Sequence, residues 1–306
     1  MQRIYIAGCG GMLGEAFHKR FASSHELKCT DIDVNESWLS YLDFRDLEAY
    51  RDDVTSFGAD YLFHLGAFTD LEYCELHPDD TYATNTLSVE NAAHIANELG
   101  IPLLYISTAG IFDGAKSVYD DWDTPRPLCH YARSKYEGER FVRENVREHV
   151  IVRAGWMMGG GPRKDKKFVQ KIMQQLLDGK RELHVVNDKL GTPTYTHDFA
   201  TNVELLLERK LWGVYNMVCA GETSRLEVAR EMLDALGLSD EVRVTEVSSD
   251  FFSEEYFAPR PASERLVNRK LQLRSLDVMR DWRVGLREYL AEHYEGYLET
   301  PETPAR

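Results

Sequence analysis

Tyr131 and Lys135 stand four residues apart in the stretch His130-Tyr131-Ala132-Arg133-Ser134-Lys135, a spacing that puts both on one face of a helix. A phenol with an ordinary pKa of ~10 is a poor acid at neutral pH. An ammonium beside it favours the phenolate and suits the phenol to giving or taking a proton. This is the single Tyr-x-x-x-Lys in the chain. Composition alone can generate one such pair, so its weight comes from context. Upstream, Ser107-Thr108 ends the apolar run that begins at Leu103. A hydroxyl there can hydrogen-bond the same substrate oxygen as Tyr131; the alternative is a strand-end cap.

A second constellation lies at the N-terminus. Gly8, Gly11 and Gly14 follow an apolar strand and open a helical stretch that includes Met12 and Leu13. Glycines there allow a tight turn, close approach of a pyrophosphate and packing of the helix on the sheet. The helix N-terminus offers unpaired N–H groups and a partial positive charge. The spacing is G-x-x-G-x-x-G and not G-x-G-x-x-G, and a structural turn is the competing reading. Position between strand and helix favours a dinucleotide site. Asp31, 17 residues past Gly14, can accept from an adenosine ribose and repel a 2′-phosphate. Asp33 is a second candidate, and Asp43, in Leu42-Asp43-Phe44, can meet the adenine. No arginine follows closely, so NAD(H) is favoured while NADP(H) is allowed.

The elements that must position these groups alternate. Arg3 to Ala7, Leu27 to Thr30, Tyr61 to Leu65, Leu103 to Ser107 and Val150 to Arg153 read as strands. Gly11 to Ala22, Leu47 to Phe57, a long Asp79 to Leu99 stopped by Gly100 and Pro102, and Tyr131 to Arg147 read as helices. The pattern predicts an α/β fold, a Rossmann-like doubly wound parallel sheet with ligands at the strand carboxyl ends. Residues 1–155 form the expected dinucleotide-binding domain, with 191–218 returning to it. Residues 156–190 and 219–306 form a smaller C-terminal α/β substrate-binding lobe. The Pro- and Thr-rich tail from Thr300 to Arg306 reads as frayed.

Taken in order, the glycine loop, the Leu65-Gly66-Ala67 strand exit, Ser107-Thr108 and Tyr131-x-x-x-Lys135 resemble the extended short-chain dehydrogenase/reductases. More narrowly, the chain resembles the dTDP-4-dehydrorhamnose reductase family. The supporting segments are Ile111-Phe112-Asp113-Gly114, Arg153-Ala154-Gly155-Trp156, Asn187 to Thr194 with its Gly191-Thr192-Pro193-Thr194, Arg260-Pro261 and Asp281-Trp282-Arg283-Val284-Gly285. The resemblance implies NAD(P)H-dependent reduction of the C4 keto group of a nucleoside-diphosphate 4-keto-6-deoxy sugar. It carries Thr108, Tyr131 and Lys135 over as catalytic residues. Gly8, Gly11, Met12, Leu13, Gly14, Asp31, Asp43, Phe44, Leu65, Gly66 and Ala67 fall to the cofactor, with Tyr131 and Lys135. Thr69, Ser107, Trp156 and Arg260 fall to the substrate, the Arg260 fork suiting a diphosphate.

The chain departs from that pattern at Ala109-Gly110, where the family has Asp-Tyr after the threonine. A carboxylate and a phenol are thereby missing from the sugar pocket. Some members hold magnesium through three glutamates at a dimer interface. Glu15 matches one and Glu292 is a candidate for another, but Thr196 or His197 stands at the third, so no metal is predicted. An NAD-dependent sugar-nucleotide 4-epimerase is one alternative. A 4,6-dehydratase is disfavoured, because Ala109-Gly110 cannot supply the acid–base pair such enzymes place beside the threonine. A non-enzymatic regulatory or binding protein is another, since a relative serves as a regulatory subunit of a methionine adenosyltransferase.

The formal net charge of −15 repels phosphate backbones and excludes nucleic acid as the expected partner. No run of ~18 apolar residues suggests a membrane span, and the first strand starts directly after Gln2, so the cytoplasm is the expected compartment. The five cysteines form no C-x-x-C and read as reduced, buried thiols; the histidines have no zinc spacing. A nucleotide sugar is the expected partner, and a homodimer is allowed. Arg163, Lys164, Lys166 and Lys167 can grip phosphates, but a solvated loop is the preferred reading. Phe251, Phe252, Tyr256 and Phe257 can form a base platform or pack in a core or interface.

Overall fold

A computed structural model describes residues 1–296. Its centre is a seven-stranded sheet: β1 (Arg3–Ala7), β2 (Glu26–Asp31), β3 (Leu39–Tyr41), β4 (Tyr61–His64), β5 (Leu103–Thr108), β6 (His149–Ala154) and β7 (Gly213–Met217). The spatial order is β3-β2-β1-β4-β5-β6-β7, with every pair parallel. The order reverses at β1/β4, which is where such sheets bind ligands. β7 thus brings residues 213–217 back to the first half of the chain. β3 was not foreseen, because three residues with one buried apolar side chain, Leu39, make no apolar run.

Alternate residues of β1 feed opposite faces. Ile4 and Ile6 enter one core and Tyr5 and Ala7 the other, as a parallel sheet covered on both sides requires. On the first face, α1 (Met12–Phe21) packs beside α5 (Thr196–Glu208), and Phe17 contacts Phe63 and Phe199 at ring distances of 5.7 and 6.3 Å. On the second lie α2 (Leu47–Phe57), α3 (Ser88–Leu99) and α4 (His130–Asn145), which enclose Tyr5, Leu62 and Tyr105. α2 begins on Asp46, whose carboxylate accepts from the N–H groups of Glu48 and Ala49, and ends on Gly58 at φ 68°.

The expected helix from Asp79 to Leu99 is one helical path from Pro78, interrupted by a π-turn at Ala83–Leu87. The extra residue in that turn changes which side chains face β4 and α4. Beyond β6, short strand pairs build the second side of the molecule. Trp156–Met158 runs parallel to Pro193–Tyr195, Leu190–Gly191 antiparallel to Thr223–Ser224, and Glu182–Val186 parallel to Arg243–Val247. α6 (Arg225–Ala235) and α7 (Trp282–Tyr294) cover them, with Trp282 and Tyr289 fully buried. No helix among the described residues is long and apolar enough to cross a membrane. All five cysteines are free and buried. The tail from Thr300 lies outside the described residues.

Candidate active site

The glycine loop leaves β1 at Gly8, whose φ of 76° requires glycine. A Cβ on Gly8 would lie 2.2 Å from the Gly66 Cα. The exits of β1 and β4 therefore touch backbone to backbone. The amides of Gly8 and Cys9 both donate to the Thr30 carbonyl, at 2.9 and 3.0 Å, which fixes the turn to β2. Gly14 lets α1 settle on Cys9, since a Cβ there would be 2.1 Å from the Cys9 carbonyl oxygen. Gly11 is different: a Cβ would meet nothing within 4 Å. It caps α1 with no side-chain acceptor, so the first N–H groups of the helix are left without a side-chain partner.

Asp31 closes β2 as expected, but its two oxygens already bind backbone: Oδ2 accepts from Gly10 N (2.8 Å) and Oδ1 from Asp33 N (3.0 Å). The carboxylate holds the loop as well as facing the crevice. Asp43 is engaged by Arg45, which donates to both its oxygens and holds its carboxyl below the usual range. Phe44 is 7 % exposed and lies against Gly66, where a Cβ would be 2.1 Å from its ring. It forms the wall behind Leu65, Gly66 and Ala67.

The basic stretch after the Gly159-Gly160-Gly161 turn is not a solvated loop throughout. Gly160 sits on Met12, and Lys164, with a side chain 6 % exposed, reaches back to Glu36 (3.2 Å) and Asn35 (3.5 Å) beyond β2. Lys167 donates to the Thr69 hydroxyl (2.8 Å) and carbonyl (3.0 Å). Only Arg163 and Lys166 of the four are exposed. Partners 128 and 98 residues away explain why local sequence could not show this.

Thr108 ends β5 and accepts from Gly110 N (3.1 Å). Burial pushes the Tyr131 phenol above its ordinary value and outweighs the lowering influence of the neighbouring Thr108 hydroxyl. Lys135 follows Tyr131 on the same face of α4, as the spacing implied. One turn further along α4, its Nζ lies 4.4 Å from the Tyr105 ring centroid, and burial pushes its pKa down to about 7. Ser107, expected beside the substrate, points inward. Strand alternation turns it from Thr108, and its hydroxyl donates to Glu139 Oε2 (2.7 Å), which in turn pairs with Arg153 at 2.6 Å.

Asn85 was missed. Presented by the π-turn, it accepts from Phe68 N (2.8 Å) and donates to Phe68 O (3.0 Å) and Ser134 Oγ (3.1 Å). It ties the loop after β4 to the helix carrying Tyr131 and Lys135. No sequence spacing signals it, because only the π-turn aims it there.

On the opposite wall, Trp156 donates its indole N–H to Glu264 Oε2 at 2.7 Å. Its ring lies between Gly191, where a Cβ would be 2.1 Å away, and the Arg225 guanidinium, 3.7 Å from the centroid. Arg225 also lies 4.8 Å from the Phe168 ring centroid. Neither Glu264 nor Arg225 was expected. Arg260 faces this wall, but its fork is paired with Glu72 at 2.7 and 2.8 Å. Tyr256 lies beneath it, whereas Phe251 is exposed and stacks on His184. Glu292 pairs with Lys19 (2.7 Å). Among the described residues no group of three or more His, Cys, Asp or Glu side chains could hold a metal ion.

The RmlD substrate binding domain family model matches residues 1–295. A dTDP-4-dehydrorhamnose reductase of Mycobacterium tuberculosis is 31% identical over 95% of this chain and 93% of its own length. The structure of a Clostridium acetobutylicum dTDP-4-dehydrorhamnose reductase superposes with a TM-score of 0.86 at 29% identity, over 95% of this chain and 99% of that one. The structure of the Bacillus anthracis enzyme in complex with NADP gives 0.86 at 27% identity, over the same shares. Matched over residues 1–295, the chain belongs to the RmlD substrate binding domain family, that of the dTDP-4-dehydrorhamnose reductases.

Proposed function

We propose that this protein reduces the C4 keto group of a nucleoside-diphosphate 4-keto-6-deoxy sugar with a reduced nicotinamide dinucleotide, in the cytoplasm. The observation that carries the reading is the Thr108 hydroxyl at the carboxyl end of β5 acting on the Tyr131 phenol, with Lys135 one helical turn beyond on α4. The residues fit the cofactor: Gly8 and Gly14 close the turn, and the uncapped N-terminus of α1 offers N–H donors to a pyrophosphate. When bound, the reduced nicotinamide supplies a hydride to the carbonyl carbon.

Burial keeps the Tyr131 phenol protonated at neutral pH, so it serves as the acid that protonates the carbonyl oxygen. The Thr108 hydroxyl donates to the same region and steadies the phenolate as it forms. Lys135 lies on the face of α4 that carries Tyr131, where an ammonium can hold the nicotinamide ribose. Asp31 keeps a carboxylate at the end of β2 where an adenosine 2′-phosphate would come close, which supports NADH as the preferred form; the Bacillus anthracis relative holds NADP. The acidic surface supports a small-molecule substrate over nucleic acid.

The test is a turnover assay with nucleotide 4-keto-6-deoxy sugars and either NADH or NADPH. One oxidised cofactor released per sugar reduced is the expected result. Conversion without net oxidation would point to an epimerase, and binding without conversion to a regulatory protein.

A further inference from the structure

The sugar pocket holds a carboxylate that proton transfer at the carbonyl does not use. Gly110, two residues past Thr108, presents no side chain, and Glu264 comes into the space beside it. A Cβ on Gly110 would lie 3.2 Å from Glu264 Oε1 and 3.5 Å from Thr108 Oγ1. One point is thus in contact with both the hydroxyl that flanks Tyr131 and the carboxylate. Tyr131 itself feels the Glu264 charge.

Glu264 is held in place. Its Oε2 accepts from the Trp156 indole N–H, and that indole is clamped between Gly191 and the Arg225 guanidinium. Leu190 O fixes the Glu264 backbone at 2.8 Å. Oε1 makes no hydrogen bond to any described residue. Arg225 has no acidic partner within ion-pairing distance among those residues, and the Glu264 charge acts on it to stabilise its cation. The two charges offset one another, so the carboxylate does not repel the substrate's diphosphate.

An ionised carboxylate only accepts hydrogen bonds. It cannot bind the carbonyl oxygen, itself an acceptor and already served by Thr108 and Tyr131. Its partner must be a donor one atom away. In a 4-keto-6-deoxypyranose one neighbour of the carbonyl carbon, C5, carries a methyl group and no donor. The other, C3, carries a hydroxyl. We propose that Glu264 Oε1 accepts a hydrogen bond from the hydroxyl vicinal to the reacting ketone, making Glu264 the residue that selects sugars bearing that group. The inference rests on the reductase reading and deepens it: the carboxylate absent after Thr108 re-enters the pocket from the C-terminal segment.

Charge-assisted bonds are stronger than neutral ones, and a site built around one rejects an analogue lacking the donor. The experiment compares dTDP-4-dehydrorhamnose with its 3-deoxy analogue in kcat/KM. It also compares dTDP-rhamnose, its 3-deoxy analogue and dTDP alone by calorimetry. The wild type should favour the hydroxylated sugar by about 10- to 100-fold in both measurements. E264A should bring that ratio close to one with no loss of dTDP or cofactor affinity. E264Q, which keeps an acceptor for Trp156, should retain part of the preference. A preference that survives E264A, or a loss of dTDP affinity in step with sugar affinity, overturns the proposal. A wild type that reduces both sugars equally well overturns it while leaving the reductase reading intact. A wild type inert toward every nucleotide 4-keto sugar removes both.

Discussion

A Cβ on Gly8 would lie 2.2 Å from the Gly66 backbone and one on Gly66 2.1 Å from the Phe44 ring, so neither strand exit has room for a side chain at that point. Gly11, three residues on, faces open space. The two glycines therefore do different work, and substitution separates them. G8A should destabilise the fold by several kcal/mol, combining a strained positive φ with a backbone clash. G11V should leave the thermal midpoint within about 2 °C but weaken NADH and NADPH binding at least tenfold, about 1.4 kcal/mol, by covering the N-terminus of α1. Thermal melts and cofactor titrations read the two effects independently.

Tyr131 is the acid of the proposed reaction. Y131F removes one oxygen from a partly buried ring and leaves the glycine loop untouched. Turnover should fall at least ~10²-fold with cofactor dissociation constants nearly unchanged. A phenylalanine variant with full kcat would take Tyr131 out of the mechanism.

Lys135 gives a pH dependence with two opposite consequences. Burial pushes it down to about 7, so its ammonium is lost as pH rises through that value. The kcat/KM profile of the free enzyme should show an alkaline limb near pH 7, and K135R should move that limb upward. Stability runs the other way. The unfolded chain keeps Lys135 protonated up to ~10.4, so between these values it binds more protons than the native state, and the Lys135 contribution to stability grows with pH. Stopped-flow rates and urea titrations across pH 7 to 10 check both arms.

The Glu139–Arg153 pair is sealed, with side chains 0 % and 3 % exposed, and it anchors Ser107 one residue before Thr108. Removing one partner leaves an uncompensated buried charge. E139A or R153M should cost about 3–5 kcal/mol, read as a shift of the urea midpoint. A surface pair such as Lys19–Glu292 should cost under ~1 kcal/mol in the same assay.

β1, β4, β5 and β6 were legible because each is an apolar run, and α2 and α3 because each ends on its own stop, Gly58 and Gly100. The glycine loop and Tyr131–Lys135 were legible because their spacing is local. What escaped detection depends on distance in sequence. Ser107 and Thr108 are equally polar on paper, and only strand alternation turns one to Glu139 and the other to Tyr131. Arg260 reads as a free fork until Glu72, 188 residues away, closes on it. Lys164 and Lys167 read as solvated because their partners lie in the first half of the chain. Glu264 and Arg225 belong to no motif, and their roles come from packing around one indole.

The Lys164–Glu36 contact spans from the strap over Met12 to the segment beyond Asp31. With the lysine side chain only 6 % exposed, salt screens this pair poorly, so it ties the two segments together across the ends of β1 and β2 even at raised ionic strength.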